Sequence, residues 1–317
     1  MAANWMRRSL VAAACASAAL LAACGSSTVE SAVSPDRVIA FGDGISDVGQ
    51  KGSAYTVNDG TVLNWTAQFA TYYGKTVKPV SAGGLSYAQG NARIKATPDA
   101  AGNASTPTIT AQIDSFLSGK SFTKNDFVTI SGGTSDLIAG MAAVRAGTLS
   151  AADYVATSRQ AGVDLAAQVR RLVAAGATHV VVAGVYDLSK SPWGIAIGQQ
   201  SLLADASARF NEGLLVSIVD LGASVQYVDL AYYVNLYVNS PSGYGFENAN
   251  TAVCTSVDAG NGIGTGTGQV NSSLCTTSTL LAGANQDKYV FADGVYLTPS
   301  AQRQFGNYTH DKVRVRW

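Results

Sequence analysis

The sequence predicts an α/β fold in which helices cover both faces of a mostly parallel central sheet. Short apolar runs with the length and flanking residues of buried strands alternate with longer segments of helical periodicity. Such alternation is typical of parallel sheets that are covered on both faces. The composition agrees, because 47% of the 317 residues are hydrophobic and 13% are charged. A large core is therefore available, and general disorder is excluded.

The predicted strands are rich in β-branched or aromatic residues and are bounded by Gly, Asp or Ser. They are residues 37–41, 127–130, 179–183 and 224–228. A fifth candidate, residues 77–80, is weakened by Pro79, because proline cannot donate a hydrogen bond to a neighbouring strand. The predicted helices between the strands are residues 63–73, 109–117, 151–175 and 199–221. The long region 235–287 is predicted to be an elaborated loop.

The first segment of the chain has the features of an export signal. Arg7 and Arg8 precede an Ala-rich apolar run, residues 9–21, which is too short to span a bilayer. The run ends in Leu-Ala-Ala-Cys, which resembles a bacterial lipobox and implies cleavage before Cys24, lipidation of its thiol and, with Gly25 next, sorting to the outer membrane of a Gram-negative bacterium. A simple secretory signal with a chance cysteine is the alternative. The predicted organisation is a signal peptide (1–23), a polar tether (24–36) and a single domain (37–317).

Charge and cysteine content exclude several classes of function. The 21 basic and 21 acidic residues give no net charge, so there is no basic field to gather nucleic acid. Two histidines and four cysteines are too few for a His/Cys zinc site, and we predict no cofactor. Export implies an oxidising compartment, in which Cys254 and Cys275 remain as the natural disulfide pair. Two free buried thiols are the alternative.

Six sequence blocks accompany the predicted elements in a fixed order. They read FGDGISDVG at 41–49, SYAQGNAR at 86–93, SGGTSD at 131–136, VYDLSKSP at 185–192, YGFEN at 244–248 and FADGVYLT at 291–298. Together they resemble the SGNH, or GDSL, family of ester hydrolases, in particular its bacterial lipase and phospholipase-like branch. The resemblance covers nearly all of residues 38–305. It implies a three-layer αβα, flavodoxin-like fold and a serine esterase or lipase activity.

The residues that carry this chemistry in the family are replaced here. Gly44 stands where the family has its nucleophilic serine, and Tyr296 stands where the family has its histidine base, three residues after Asp293. Among the positions equivalent to the oxyanion hole, Gly44, Asn91 and Ser135, the family's asparagine is replaced by Ser135 and a family glycine by Asn91. We expect the replacement at Asn91 to affect the oxyanion hole least, because asparagine tolerates the left-handed backbone conformation.

These replacements predict a catalytically impaired pseudo-hydrolase. Glycine cannot form an acyl-enzyme, and a tyrosine that titrates near pH 10 is a poor general base at neutral pH. We expect instead a binding role, with a vacated cleft above Gly44, Ser135 and Tyr296 that holds a lipid, acyl or glycan ligand. The aromatic side chains that we regard as candidate stacking surfaces are Tyr55, Trp65, Tyr72, Tyr73, Tyr87, Trp193, Tyr232, Tyr233 and Tyr237.

Three alternatives stay open at this point. The first is an active lipid or carboxylester hydrolase with a rearranged site, for which Ser46 is the candidate nucleophile; a simpler interpretation is that Ser46 caps a helix. His310 lies roughly 20 Å along a C-terminal helix and cannot replace the base. The second is a metal or acid/base site, although in this family such carboxylates fix turns. The carboxylates concerned are Asp43, Asp47, Asp136 and Asp293. The third is a purely structural lipoprotein.

Overall fold

The computed structural model describes residues 33–317 and contains a four-stranded parallel sheet. Its strands are β1 (Val38–Phe41), β2 (Phe127–Ser131), β3 (His179–Ala183) and β4 (Val225–Val228), in the spatial order β1-β2-β3-β4. All three pairings are parallel. Every residue of β1 and β2 is buried, as expected where helices cover both faces. The four predicted strands are therefore confirmed.

Helices form a layer on each face of the sheet. They are α1 (Trp65–Thr71), α2 (Ile109–Leu117), α3 (Thr134–Arg145), α4 (Ala151–Ala174), α5 (Pro192–Ala196), α6 (Gln200–Ile218), α7 (Leu230–Asn239) and α8 (Pro299–Arg314). Helices α1 and α7 both pack against α8, while α2, α3 and α6 all pack against α4. Polar N-caps begin six of these helices. In each, a side chain accepts a backbone N–H of the first turn, and the capping residues are Asn64, Thr108, Ser150, Ser191, Asp229 and Thr298. The predicted three-layer α/β fold is confirmed.

The prediction of a fifth strand at residues 77–80 is wrong. Pro79 forms only an isolated bridge to Ser86, and a 3₁₀ helix, Val80–Ala82, follows it directly. Pro79 has no N–H for a ladder, which is the physical reason that the run stops there. Ser86 instead extends the edge of the sheet by a bridge to Ala40.

The region predicted to be one long loop contains regular structure at both ends. Helix α7 runs to Asn239, and β5 (Asn248–Ala252) pairs in parallel with β6 (Tyr289–Phe291) in a second, two-stranded sheet. The sequence of β5, Asn-Ala-Asn-Thr-Ala, lacks the apolar alternation that marks a strand. The pairing therefore depends on β6, which packs into the domain core.

Cys254 and Cys275 form the expected disulfide. Both cysteines are buried, in a small separate cluster with Val57, Val253 and Ala292. The bridge closes residues 255–274, here called the disulfide loop, and a closure of this length contributes roughly 3 kcal/mol on the chain-entropy model. The loop is rich in Gly, Ser and Thr, and the bridge adds to the attachment made by Ile263, which is buried in the main core.

The predicted signal peptide and Cys24 lie outside the described residues, as does most of the tether. Within residues 33–317, every helix is too short or too polar to cross a bilayer.

Candidate functional site

The loops at the carboxyl edge of the sheet bring three of the family-equivalent positions together. Gly44 lies in the turn after β1, and Ser135 lies in the first turn of α3, directly after β2. Tyr296 lies in the segment between β6 and α8 and contacts the turn that holds Gly44. Ligand sites of parallel α/β sheets occur at this edge. The group Gly44, Ser135 and Tyr296 is here called the centre.

The turn after β1 is held by a side chain that the sequence did not point to. The amide of Gln112, on α2, accepts from Gly42 N and donates to Gly42 O, both at 2.9 Å. Gly42 has φ +148°, and a Cβ there would lie 2.5 Å from the carbonyl oxygen of Ser131, so only glycine fits. A glutamine inside a helix carries no pattern that reveals such a contact.

Tyr296 occupies the space that a side chain at residue 44 would need. A Cβ on Gly44 would lie 2.7 Å from Cε1, Cζ and Oη of Tyr296. Gly44 is not among the residues with positive φ, so its backbone conformation does not itself require glycine. The tyrosine ring therefore excludes a nucleophilic side chain from this position.

The centre is closed rather than open. Ser135 and Tyr296 are both 0% exposed, and the ring of Tyr55 lies 5.1 Å from that of Tyr296. Burial, with a further contribution from Asp43, raises the pKa of Tyr296 well above its ordinary value. The Ser135 hydroxyl lies beside that of Tyr296 and opposes this rise in pKa. The prediction of a vacated cleft above these residues is wrong, because the tyrosine ring fills the side-chain space at residue 44.

Asp293 binds backbone N–H groups where the family's aspartate orients a histidine. Its Oδ1 accepts from Val295 at 2.8 Å and from Tyr296 at 2.7 Å, and its Oδ2 accepts from Ser272 at 2.9 Å. Burial raises the pKa of Asp293, and these N–H donors oppose the rise. The carboxylate thus fastens the disulfide loop, through Ser272, to the segment that carries Tyr296.

The neighbouring carboxylates also fix turns. Asp47 accepts from the backbone N–H groups of Gly49, Gln50 and Gly90, which joins the turn after β1 to the segment of Asn91. Asp136 accepts from Ile94 N at 3.0 Å in the same way. Across residues 33–317, the His, Cys, Asp and Glu side chains form no group of three or more that could hold a metal ion.

Asn91 is the one described non-glycine residue with positive φ, at 64°. Its side-chain Nδ2 donates to the carbonyl oxygen of Gly262, in the disulfide loop, at 2.9 Å. The position thus adopts the left-handed conformation expected of it, and its side chain joins two loops.

Ser46 is buried in a hydrogen-bonded pair. Its Oγ lies 2.7 Å from the Oγ of Ser131 and accepts from Trp65 Nε1 at 3.1 Å. The interpretation of Ser46 as a helix cap is wrong, because it lies in a turn and the next helix begins only at Trp65. Its hydroxyl links β2 to α1 instead.

Both histidines lie in aromatic contacts away from this edge. His310 is on α8, with its ring stacked on Tyr72 at 3.9 Å. His179 begins β3, at the amino edge of the sheet, and packs edge-on against Trp317.

Comparison with known proteins decides the family. The family model for the GDSL-like lipase/acylhydrolase domain matches residues 38–309. The chain belongs to this family. A search of curated proteins finds no match. One solved crystal structure covers 89% of this chain and 98% of its own, with 13% sequence identity and a TM-score of 0.46, which is too distant to carry an argument about function.

The contact between Gly44 and Tyr296 predicts a strong coupling in stability. Gly44→Ala should lower the free energy of unfolding by about 1–3 kcal/mol, because its methyl group overlaps the ring. In a Tyr296→Val background the same change should cost much less. Urea unfolding of the four proteins measures this cycle, with Gly119→Ala as the control, since a Cβ at Gly119 meets no atom within 4 Å. Equal costs in both backgrounds would contradict the steric explanation.

The raised pKa of Asp43 predicts that the stability of the fold depends on pH. This pKa is raised to about 6, first by burial and also by Asp136, while backbone N–H groups, that of Ile45 first, oppose the rise. The folded state therefore holds this proton more tightly than the unfolded state, whose pKa is near 4. The resulting stability is present below pH 4 and is lost as pH rises from about 4 to about 6.

Asp43→Asn cannot ionise and should escape this loss. Relative to the unsubstituted chain, its free energy of unfolding should rise by on the order of 2 kcal/mol between pH 4 and pH 7. Urea unfolding at several pH values measures the difference, with exposed Asp205→Asn as the control. Parallel pH profiles for the Asp43 variant and the unsubstituted chain would contradict the raised pKa.

Proposed function

We propose that this chain is a lipid-anchored envelope protein of the GDSL family whose hydrolase centre is silent, and that it binds a lipid, acyl or glycan ligand without cleaving it. The main support for a silent, that is catalytically inactive, centre is the Tyr296 ring. It fills the side-chain space of Gly44 and is itself fully buried.

The centre has no nucleophile. Residue 44 has no side chain, so no acyl-serine can form there. Ser46 is the nearest serine in sequence, but it is fully buried and its Oγ is engaged with Ser131 and Trp65. A serine becomes nucleophilic only beside a base that takes its proton, and Ser46 has another serine and an indole as partners.

The centre has no general base. A base must have a pKa near the working pH, whereas burial raises that of Tyr296 further above its ordinary value. The phenol therefore stays protonated. Asp293 is occupied by three backbone N–H groups and has no imidazole to orient.

The oxyanion hole is incomplete and covered. Loss of one oxyanion donor typically costs about 3–4 kcal/mol of transition-state stabilisation. Ser135 offers a hydroxyl where the family has an amide, and that hydroxyl is buried beside the tyrosine ring. A substrate carbonyl therefore has no route to it while the ring is in place.

The proposed location follows from the sequence alone. A lipid on Cys24 would hold the protein to the outer membrane through the polar tether. Residue 37, where the domain begins, leads into β1 at the amino edge of the sheet. The centre lies at the opposite, carboxyl edge, so an anchor at Cys24 would enter the domain from the side away from it.

Restoring the family residues tests the silent centre. Purified Cys24→Ser chain should not turn over p-nitrophenyl acyl esters, while the same chain with Gly44→Ser, Ser135→Asn and Tyr296→His should hydrolyse them. Gly44→Ser alone is the matched control and should stay inactive, because its side chain meets the Tyr296 ring. Steady turnover by the unrestored chain, lost on Ser46→Ala, would instead show a hydrolase with a rearranged site.

The anchor has its own test. In a Gram-negative host, the unsubstituted chain should fractionate with the outer membrane and incorporate labelled palmitate. Cys24→Ser should lose both properties, since the thiol is the proposed attachment site. Cys15→Ser, in the predicted signal, is the matched control and should leave both unchanged. Unlabelled, freely soluble wild-type chain would overturn the lipoprotein assignment and leave the silent centre standing.

A further inference from the structure

A cavity of about 370 Å³ opens beside the segment that carries Asp293, and its lining includes none of the three residues of the centre. Its walls come from α5, from the disulfide loop and from the last turn of α3. Gly294 forms part of the lining, and its carbonyl accepts from Trp193 N at 2.9 Å. The volume lies within the range of small-molecule sites, roughly 300–1,000 Å³.

One side of this cavity is apolar. Pro192, Trp193 and Ile197 line it from α5 and the residue after it, and Val270 faces them from the disulfide loop. Trp193 is only 6% exposed, so it is a fixed wall of the domain rather than a mobile surface group. An aliphatic chain lying against these side chains would be partly removed from water, which favours hydrophobic binding.

The polar side of the cavity carries a single ionisable group. Arg145, at the end of α3, lines the cavity together with the neutral side chains of Thr265 and Gln269. It forms no ion pair or hydrogen bond with any residue in the described part of the chain. No carboxylate lines the cavity, so the unpaired guanidinium favours an anionic group.

We propose that this cavity binds an aliphatic carboxylate, with its chain between α5 and Val270 and its head group at Arg145. The inference rests on the proposed ligand-binding role and gives that role a place and a ligand class. It does not require the closed centre to open. It also gives the disulfide loop a function, because this loop supplies one wall of the cavity.

A second groove offers a comparison on the same molecule. Its volume is about 250 Å³, and Lys75 stands beside apolar residues that include Val62 and Val77. It thus combines a cation with an apolar surface, but it is smaller and has no buried aromatic wall. Lys75→Gln is therefore a matched control for Arg145→Gln.

Calorimetric titration of the purified Cys24→Ser chain with sodium decanoate, and separately with 1-decanol, tests the proposal. We expect saturable binding of decanoate, weakened about tenfold or more by Arg145→Gln, since a hydrogen bond to a charged group is lost. Decanol binding should not respond to that change. Ala196→Trp places a large ring at the exposed edge of the cavity and should block both ligands. Lys75→Gln should change neither affinity.

Three outcomes would overturn the proposal. The first is the absence of saturable decanoate binding. The second is unchanged decanoate binding by both the Arg145→Gln and Ala196→Trp chains, and the third is loss of decanoate binding in Lys75→Gln. Residues 145 and 196 are exposed, so these variants should fold, and circular dichroism checks this. Hydrolysis of p-nitrophenyl decanoate by the same preparation would overturn the silent centre but not the cavity, whereas failure of decanoate to bind would overturn the cavity alone.

Discussion

The contact between the Tyr296 ring and Gly44 is the constraint on which the rest of the centre depends. Residue 44 can carry no side chain while the ring lies 2.7 Å from its Cβ position, and the ring could not lie there beside a serine. The residues at positions 44 and 296 are therefore coupled by steric contact. Burial of Ser135 and the contact with Tyr55 follow from the same placement, because the ring fills the space in which a substrate would be attacked.

The turns around this contact are held by hydrogen bonds that do not depend on catalysis. Asp47 and Asp293 each accept three backbone N–H groups, and these bonds set the turns after β1 and after β6. A buried carboxylate that lost such donors would be left unsatisfied, at a cost of several kcal/mol. These two carboxylates therefore have a structural role that does not depend on which residues stand at positions 44 and 296.

The layers and the strands of the fold could be predicted from the sequence, whereas the shape of the centre could not. Strands β1 and β2 are fully buried, β3 is buried except at His179, and β4 is buried at its two valines, so each is a short apolar run of the kind that the sequence pattern detects. The replacement at residue 296 was also visible, but the filled cleft was not, because a ring's direction depends on packing between segments far apart in sequence. The same holds for Gln112 and for β5, whose partners are set by tertiary contacts rather than by local pattern.

Because the centre is closed, a ligand would have to bind at the surface beside it. A hydrolase must admit its substrate to the point where nucleophile and base meet, so its binding and chemical sites are one. Here the buried carboxylate of Asp293 holds the backbone of Tyr296. The next residue, Gly294, lines an open cavity that also contains the unpaired Arg145. Under the proposed function, this cavity is the binding surface, and a ligand bound there does not require the centre to open.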